Sequence, residues 1–534
     1  MEPPTLRLRL EGATSGVAWP RVPLRERLLV AAVCAVLFHF VYFKDGTLIY
    51  LFNPNGSGLW LDEAYRVRAG EVMYRDFFEF VPPGVVYLNA AVMAVFGPRI
   101  TPFGYLGLAL GTLLSVLVHA LSARLVGPRW RLLPPALFAS LIYASGELGD
   151  HKSLAVLWAF ASLLALVGRP RTRARLLTAG ACLGLGVLFT TDLGLGAALG
   201  LTCGLACEPA SGRALRTFAL GGLFPVLLVA SWFSLQAGFG TLFYDTIVFP
   251  LTHYRNANPF VAFLGFGELR VAPRTLAHLA LGSGCLASAL GFIVGSGILA
   301  GNAASDSRLA GRQAPLRLVA LTGLGLALAY LQRAIYPARL AVASALLLVP
   351  LASALEALSQ RTGIARYASR AFLACLVFGC LWSSLGLIYR RQWQRAYRPE
   401  SHRAGTILPL APMPELSWIE RNTRPGEAVF LLPNKGGFYF LSQTRNPTSF
   451  SRLELGGLNP PDQLRVLAHE IEVRQPRVGV WQEVAVLPAF LSQSSLDPLY
   501  REIRRGYKCE DRTRGGALLL RRRAATDLEG TDPC

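Results

Sequence analysis

The chain has 534 residues, of which 52% are hydrophobic and only 16% charged, against about 25% charged in an ordinary soluble protein. Its apolar runs are hydrophobic on all sides, which excludes a large soluble protein and indicates a polytopic membrane protein. The net charge of +20 would suit a nucleic-acid surface, but the arginines sit in short loops between apolar runs, where they set topology instead. No nucleic-acid partner is expected.

Residues 1–26 carry no convincing cleavable signal and are assigned to a cytoplasmic N-terminus. A retained first span follows at 27–43, then spans at 102–122, 133–148, 152–168, 176–190, 193–207, 215–236, 274–300, 316–332, 336–357 and 370–389, about 11 in all. The segment Gly84–Gly97 is too short for a span, and charge bias decides its place. If it does not cross, the inside loops hold Arg124, Arg129 and Arg131, then Arg169 to Arg175, then Arg213 and Arg216, and later Arg308 to Arg317 and Arg361 to Arg370. If it crosses, all of these flip outward, against the positive-inside rule. Gly84–Gly97 is therefore expected as a helix lying at the outer membrane face.

This topology places several polar stretches on the outer side: the loop 44–101, the turn Gly146–Lys152, Asp192, the segment 238–274 and the turn Arg333–Arg339. The tail 390–534 lies there too, as an extracytoplasmic α/β domain. Within the tail, Ala428–Pro433 and Pro476–Trp481 read as strands, Gly436–Ser442 and Pro461–Val473 as helices, and Ala517–Leu520 as a last strand. The glycine-rich stretch 180–200 lies in spans, where small residues permit close helix packing. Of nine cysteines, seven fall in apolar segments, where Cys behaves as a small hydrophobe. Cys509 and Cys534 lie in the polar tail, and sequence leaves open whether they pair.

Chemistry concentrates in the stretch Gly56–Gly97, with Asp62-Glu63, Tyr74-Arg75-Asp76, Glu79 and a Pro82-Pro83 break. A carboxylate at a membrane surface can serve as general base toward an acceptor hydroxyl, and a second one nearby can raise its pKa or share a divalent cation. The alternative is an acidic pair capping the next helix. At the outer end of a later span, Asp150 and His151 could hold a divalent cation and Lys152 a phosphate, or Asp150 could simply cap the helix. In 238–274, Tyr244-Asp245 and His253-Tyr254-Arg255 suit a sugar and a lipid phosphate, or a helix resting in the interface. Arg333 and Arg339 flank Tyr336-Pro337 on the side where Arg is unexpected, so they either pair with a phosphate or snorkel. His39 and His119 are read as packing residues, and Asp192 as a site residue or a cap.

The pattern Asp62-Glu63-x-Tyr65, Gly70-Glu71, Tyr74-Arg75-Asp76-Phe77, Pro82-Pro83, Tyr87, then Phe96-Gly97 resembles the first external loop of GT-C glycosyltransferases. The nearest branch is the bacterial one of protein mannosyltransferases, aminoarabinose transferases and Rgt-type lipopolysaccharide transferases. In the tail, Ala428–Pro433, Gly437–Leu441 and Arg445–Thr448 are similar to the extracytoplasmic domain of that branch. The resemblance implies a transmembrane catalytic module over 27–389 and a polyprenyl-phosphate sugar donor. It implies a lipid, glycan or protein acceptor at the outer face of a bacterial inner (plasma) membrane. It assigns the general-base role to Asp62, supported by Glu63, and an acidic position near a metal or the acceptor to Glu79. Tyr74 and Arg75 join Lys152, His253, Tyr254, Arg255, Arg333 and Arg339 as expected donor contacts; Asp150, His151 and Glu79 are the expected cation set. A transporter or flippase, or an inactive GT-C-like assembly protein, is the rival reading. Against transport, the ionisable groups gather at one face rather than at mid-membrane, and no repeat is evident.

Overall fold

The computed structural model describes residues 23–52, 57–144, 150–207, 211–253, 280–291, 293, 307–331, 344–393, 398–432, 435–451, 459–482 and 497–524. Apolar runs become helices in the order expected: α1 (Leu24–Tyr42), α4 (Thr101–Leu125), α5 (Leu133–Leu137, continuing as a wider coil to Tyr143), α6 (His151–Leu166), α7 (Arg173–Phe189), α8 (Thr191–Ala206) and α9 (Ser211–Ala237). Ser307–Leu331, Leu348–Ser359 and Ile364–Gln392 follow. Among the described residues, four helices are long and apolar enough to cross a bilayer: Thr101–Leu125, Ser211–Ala237, Arg312–Tyr330 and Ile364–Gln392. Two shorter helices, α2 (Ser57–Arg68) and α3 (Gly84–Phe96), occupy the first polar loop.

Missing side chains bring helices together. A Cβ on Gly180 of α7 would lie 2.0 Å from the Phe218 carbonyl oxygen of α9, and one on Gly200 of α8 would lie 2.1 Å from the Leu321 carbonyl oxygen. Backbones this close maximise dispersion contact where no hydrophobic drive separates helix from lipid.

The bundle sorts its ends. At one end, Glu26 pairs with Arg131 and faces His119, and Arg124 donates to the Leu164 and Val167 carbonyls, both at 2.8 Å. The Gly127 N–H donates to Glu356, which also meets Arg312 at 4.0 Å. These are the arginine-bearing loops assigned to the inside, and they converge. At the other end, Gln392 donates to the Phe40 and Phe43 carbonyls, so the last long helix finishes where α1 finishes.

There the chain builds two sheets. β1 (Phe43–Lys44) and β2 (Thr47–Tyr50) form a hairpin, and β2 runs parallel to β4 (Gly405–Pro409), with Leu48 opposite Ile407 and Tyr50 opposite Pro409. β3 (Glu400–His402) closes this sheet in the order β1-β2-β4-β3. The second sheet has the order β5-β6-β8-β7, from β5 (Val429–Leu432), β6 (Val478–Gln482), β7 (Tyr507–Arg512) and β8 (Ala517–Arg522). Its parallel pair β5–β6 is bridged through Gly436–Ser442 and Pro461–Arg474, as a parallel pair requires. Phe430, Leu464, Ile471, Trp481, Tyr507 and Leu520 fill its core.

The tail elements expected from sequence are present, but two things differ. Helices Pro414–Asn422 and Asp497–Gly506 and the strands β3, β4 and β7 are additional. The loop 44–101 and the tail are also not separate units, because β2 and β4 share a sheet. Cys509 is disulfide-bonded, whereas the seven cysteines of the apolar segments are free. Cys534, Tyr254, Arg255, Arg333 and Arg339 lie outside the described residues.

Candidate active site

α2 is a polar-sequence helix that is buried, because α3 packs on one side of it and the tail helix Gly436–Ser442 on another. The Gly436-Gly437 pair permits this approach. A Cβ at Gly436 would sit 2.8 Å from Leu59 Cδ1, and one at Gly437 would sit 2.6 Å from the Tyr50 hydroxyl. Asp62 lies in the middle of α2, not at its cap, and is 1% exposed. Neither of its carboxylate oxygens has a hydrogen-bond partner. Burial lifts its carboxyl up to about 7, against the pull of Arg66 and with a push from Glu71. The expected helper, Glu63, is fully buried, but neighbours on a helix point about 100° apart. Asp62 acts on Tyr439 of the tail helix, whereas Glu63 acts on Tyr74.

The loop after α2 turns back on itself. The Asp76 carboxylate accepts from the Val72 N–H at 2.6 Å, and the Tyr74 hydroxyl donates to the Val81 carbonyl at 2.7 Å, with Tyr74 in the left-handed region at φ 68°. Tyr74 and Arg75, expected among the donor contacts, have partners within the protein. Tyr74 is 4% exposed and its ring stands edge-on to Phe233. Arg75 is at the surface, forked on Asp76 at 3.0 and 2.7 Å.

Glu79 is buried and accepts from the Phe80 and Val81 N–H groups at 2.8 and 3.0 Å. Its electrostatic neighbour is Asp245, buried in the wide coil Tyr244–Val248 and pushed up to about 7 by burial, with Glu79 adding to the rise. The segment after α9 reaches this point through Phe249, whose ring packs on Phe78 at 4.7 Å and on Phe80 at 5.6 Å. His253 stacks on Phe249 at 5.1 Å and shares a 2.6 Å hydrogen bond with the Thr252 hydroxyl. The structure thus gathers His253, Asp245 and Glu79 into one neighbourhood.

Asp150 is the N-cap of α6: its carboxylate accepts from the Lys152 N–H at 3.2 Å. It also meets Lys152 Nζ at 3.3 Å and His151 Nδ1 at 3.2 Å. Burial opposes ionisation there, but Lys152 and His151 outweigh it and hold the carboxyl below the ordinary range. His151 meets the Trp60 ring of α2 edge-on at 5.1 Å, so this turn abuts the helix that carries Asp62. Asp150, His151 and Glu79 do not form a cation set, and no group of three or more His, Cys, Asp and Glu with metal-binding geometry occurs among the described residues. In this structure Asp150 is matched by a lysine, and Glu79 accepts from backbone donors.

Sequence reasoning missed Arg66 and Tyr439 and gave Asp245 no assigned role. Arg66 was findable, since a residue four positions after Asp62 on a helix shares its face.

No family model and no curated protein matches the sequence. Solved structures do match its fold. ArnT from Cupriavidus metallidurans bound to undecaprenyl phosphate superposes with a TM-score of 0.57 at 11% identity, covering 94% of this chain and 99% of that one. Its apo form gives 0.55 at 13%, covering 92% and 97%. The arabinofuranosyltransferase AftD from mycobacteria gives 0.52 at 13%, covering 95% of this chain, which spans 40% of AftD. At these identities the likeness is one of fold, and the chain has the fold of the GT-C glycosyltransferases.

Proposed function

We propose that this GT-C-fold chain is an integral-membrane glycosyltransferase of a bacterial inner membrane. It moves a sugar from a polyprenyl-phosphate donor to an extracytoplasmic acceptor: lipopolysaccharide or another lipid, a glycan or a protein. The observation that carries this reading is Asp62, a buried carboxylate with no hydrogen-bond donor of its own and a proton affinity raised to about 7. A general base works best when its pKa lies near the working pH, and a structural acid would be hydrogen-bonded. Support for the donor class comes from the fold neighbour bound to undecaprenyl phosphate. Support for a shared side of loop and tail comes from the β2–β4 pairing.

In the reaction, Asp62 takes the proton of an acceptor hydroxyl or amine as that group attacks the anomeric carbon. The bond from that carbon to the phosphate oxygen breaks, and its electron pair leaves on the polyprenyl phosphate. Lys152, His253 and Arg333 would meet the departing phosphate. The tail covers α2 and shapes the acceptor's approach.

The test is transfer from a radiolabelled polyprenyl-phosphate sugar in membranes carrying the chain. Asp62→Asn is expected to lower the rate by about 10²–10⁴-fold. Undiminished transfer by this variant, or labelling of a cysteine at position 62 from the cytosolic side only, overturns the assignment.

A further inference from the structure

Arg66 stands one helical turn beyond Asp62, is 6% exposed, and makes every contact inward. Its Nε donates to Glu71 at 2.7 Å. One terminal nitrogen donates to the Thr448 carbonyl at 3.0 Å and to the Ser451 hydroxyl at 3.3 Å, both in the tail. The guanidinium lies over the Phe77 ring, 4.5 Å from its centroid. The stretch around Phe77 is itself fixed to the same tail segment, for the Phe78 N–H donates to the Ser449 carbonyl at 2.8 Å. A single cation therefore joins the catalytic helix, the returning loop and the tail segment 448–451. Lysine, a point charge without a planar fork, could not reproduce these directions.

We propose that Arg66 is a positioning residue for Asp62, through which docking of the tail segment Thr448–Ser451 sets the placement of the catalytic carboxylate. This inference rests on the general-base reading of Asp62. It deepens that reading by making a tail contact, 382 positions from Arg66 in sequence, part of the base. The charged surroundings of Asp62 allow it. Arg66 and Glu71 act on it from its own helix and the turn beyond, and Tyr439 faces it from the tail helix. Glu79 and Glu63 act on Tyr74. On α3, the other element packed on α2, Tyr87 is coupled to Arg75 and Asp76 instead. Arg66 is thus the cation opposing the burial of Asp62.

The experiment needs neither donor nor acceptor. Dicyclohexylcarbodiimide modifies carboxylic acids and not carboxylates, so the pH dependence of Asp62 modification in the full-length protein in detergent, read by peptide mass spectrometry, follows its protonation. Arg66→Gln is expected to move the labelling midpoint upward by about one pH unit or more, the size of effect a charge at this range exerts, and Arg66→Lys, which keeps the charge but not the fork, to recover only part of it. Backbone hydrogen exchange at Phe78 and across 448–451 is expected to rise in both variants, since neither keeps the fork. A lowered melting temperature in Arg66→Gln with an unmoved midpoint makes Arg66 a structural clamp and overturns the proposal. Where Arg66→Gln does not fold, Arg66→Lys decides: unchanged exchange at 448–451 overturns the proposal equally. Because labelling is independent of transfer, retention of transfer by Asp62→Asn would sink the base assignment without altering the outcome of this measurement.

Discussion

Asp62 and Asp150 are the same residue type, a few residues from the same Trp60–His151 contact, and they are driven to opposite charge states. Asp150 caps a helix, meets Lys152 and His151, and stays ionised despite burial. Asp62 has no donor and is lifted to about 7. The difference shows which acid can accept a proton at neutral pH and which serves as a fixed negative charge.

Activity should separate the two acids most widely. Asp62→Asn is expected to lose about 10²–10⁴-fold in transfer rate, whereas Asp150→Asn, which keeps a capping oxygen, should lose no more than about tenfold, or ~1.4 kcal/mol of barrier. Equal losses would erase the distinction.

Stability is the next largest effect. The folded-state pKa of Asp62 is raised, so this group weakens folding as pH climbs from the ordinary aspartate range to about 7, and by a constant amount above it. That penalty is about 4 kcal/mol. Asp62→Asn should therefore raise the melting temperature in detergent at pH 8 and leave it nearly unchanged at pH 4. A variant less stable than wild type at pH 8 would show that Asp62 has a partner after all.

For Asp150 the sign reverses, because its folded-state pKa is depressed. Its stabilisation is present above the ordinary aspartate range and fades on acidification. Asp150→Ala should destabilise by about 1 kcal/mol through the lost cap, with a smaller difference from wild type at pH 3 than at pH 7 in the same melts. The smallest effect belongs to the Arg75–Asp76 fork, whose side chains are 43% and 32% exposed. Asp76→Asn should cost under about 1 kcal/mol, and less still in high salt. A larger loss would mean that the loop fold, through the Val72 N–H to Asp76 bond, matters more than the ion pair.

What sequence revealed and what it hid follow from the range of the interactions. The bundle was legible because lipid-facing runs such as Ser211–Ala237 declare themselves residue by residue. The sequence left open whether Asp62 caps its helix, and the structure places it in mid-helix instead. The close approach at Gly180 and Gly200 was legible from composition alone. The two arginines of the same loop were not told apart by burial: Arg75 is at the surface, while Arg66 is buried one turn from Asp62. Their fates depend on a tail segment whose position no local pattern reports. The Tyr74 hydroxyl bond to Val81 was hidden for a related reason, since it depends on a left-handed backbone that residue type does not announce.

The pairing of β2 with β4 has a consequence for biogenesis. Leu48–Tyr50 leave the ribosome early, and their strand partners Ile407–Pro409 arrive only after the last long helix has been inserted. Until then β2 presents an open edge, which in other chains invites mispairing. A nascent chain stalled before residue 405 thus holds Asp62 on an unbraced helix, and the site is complete only after Ile407–Pro409 have joined the sheet.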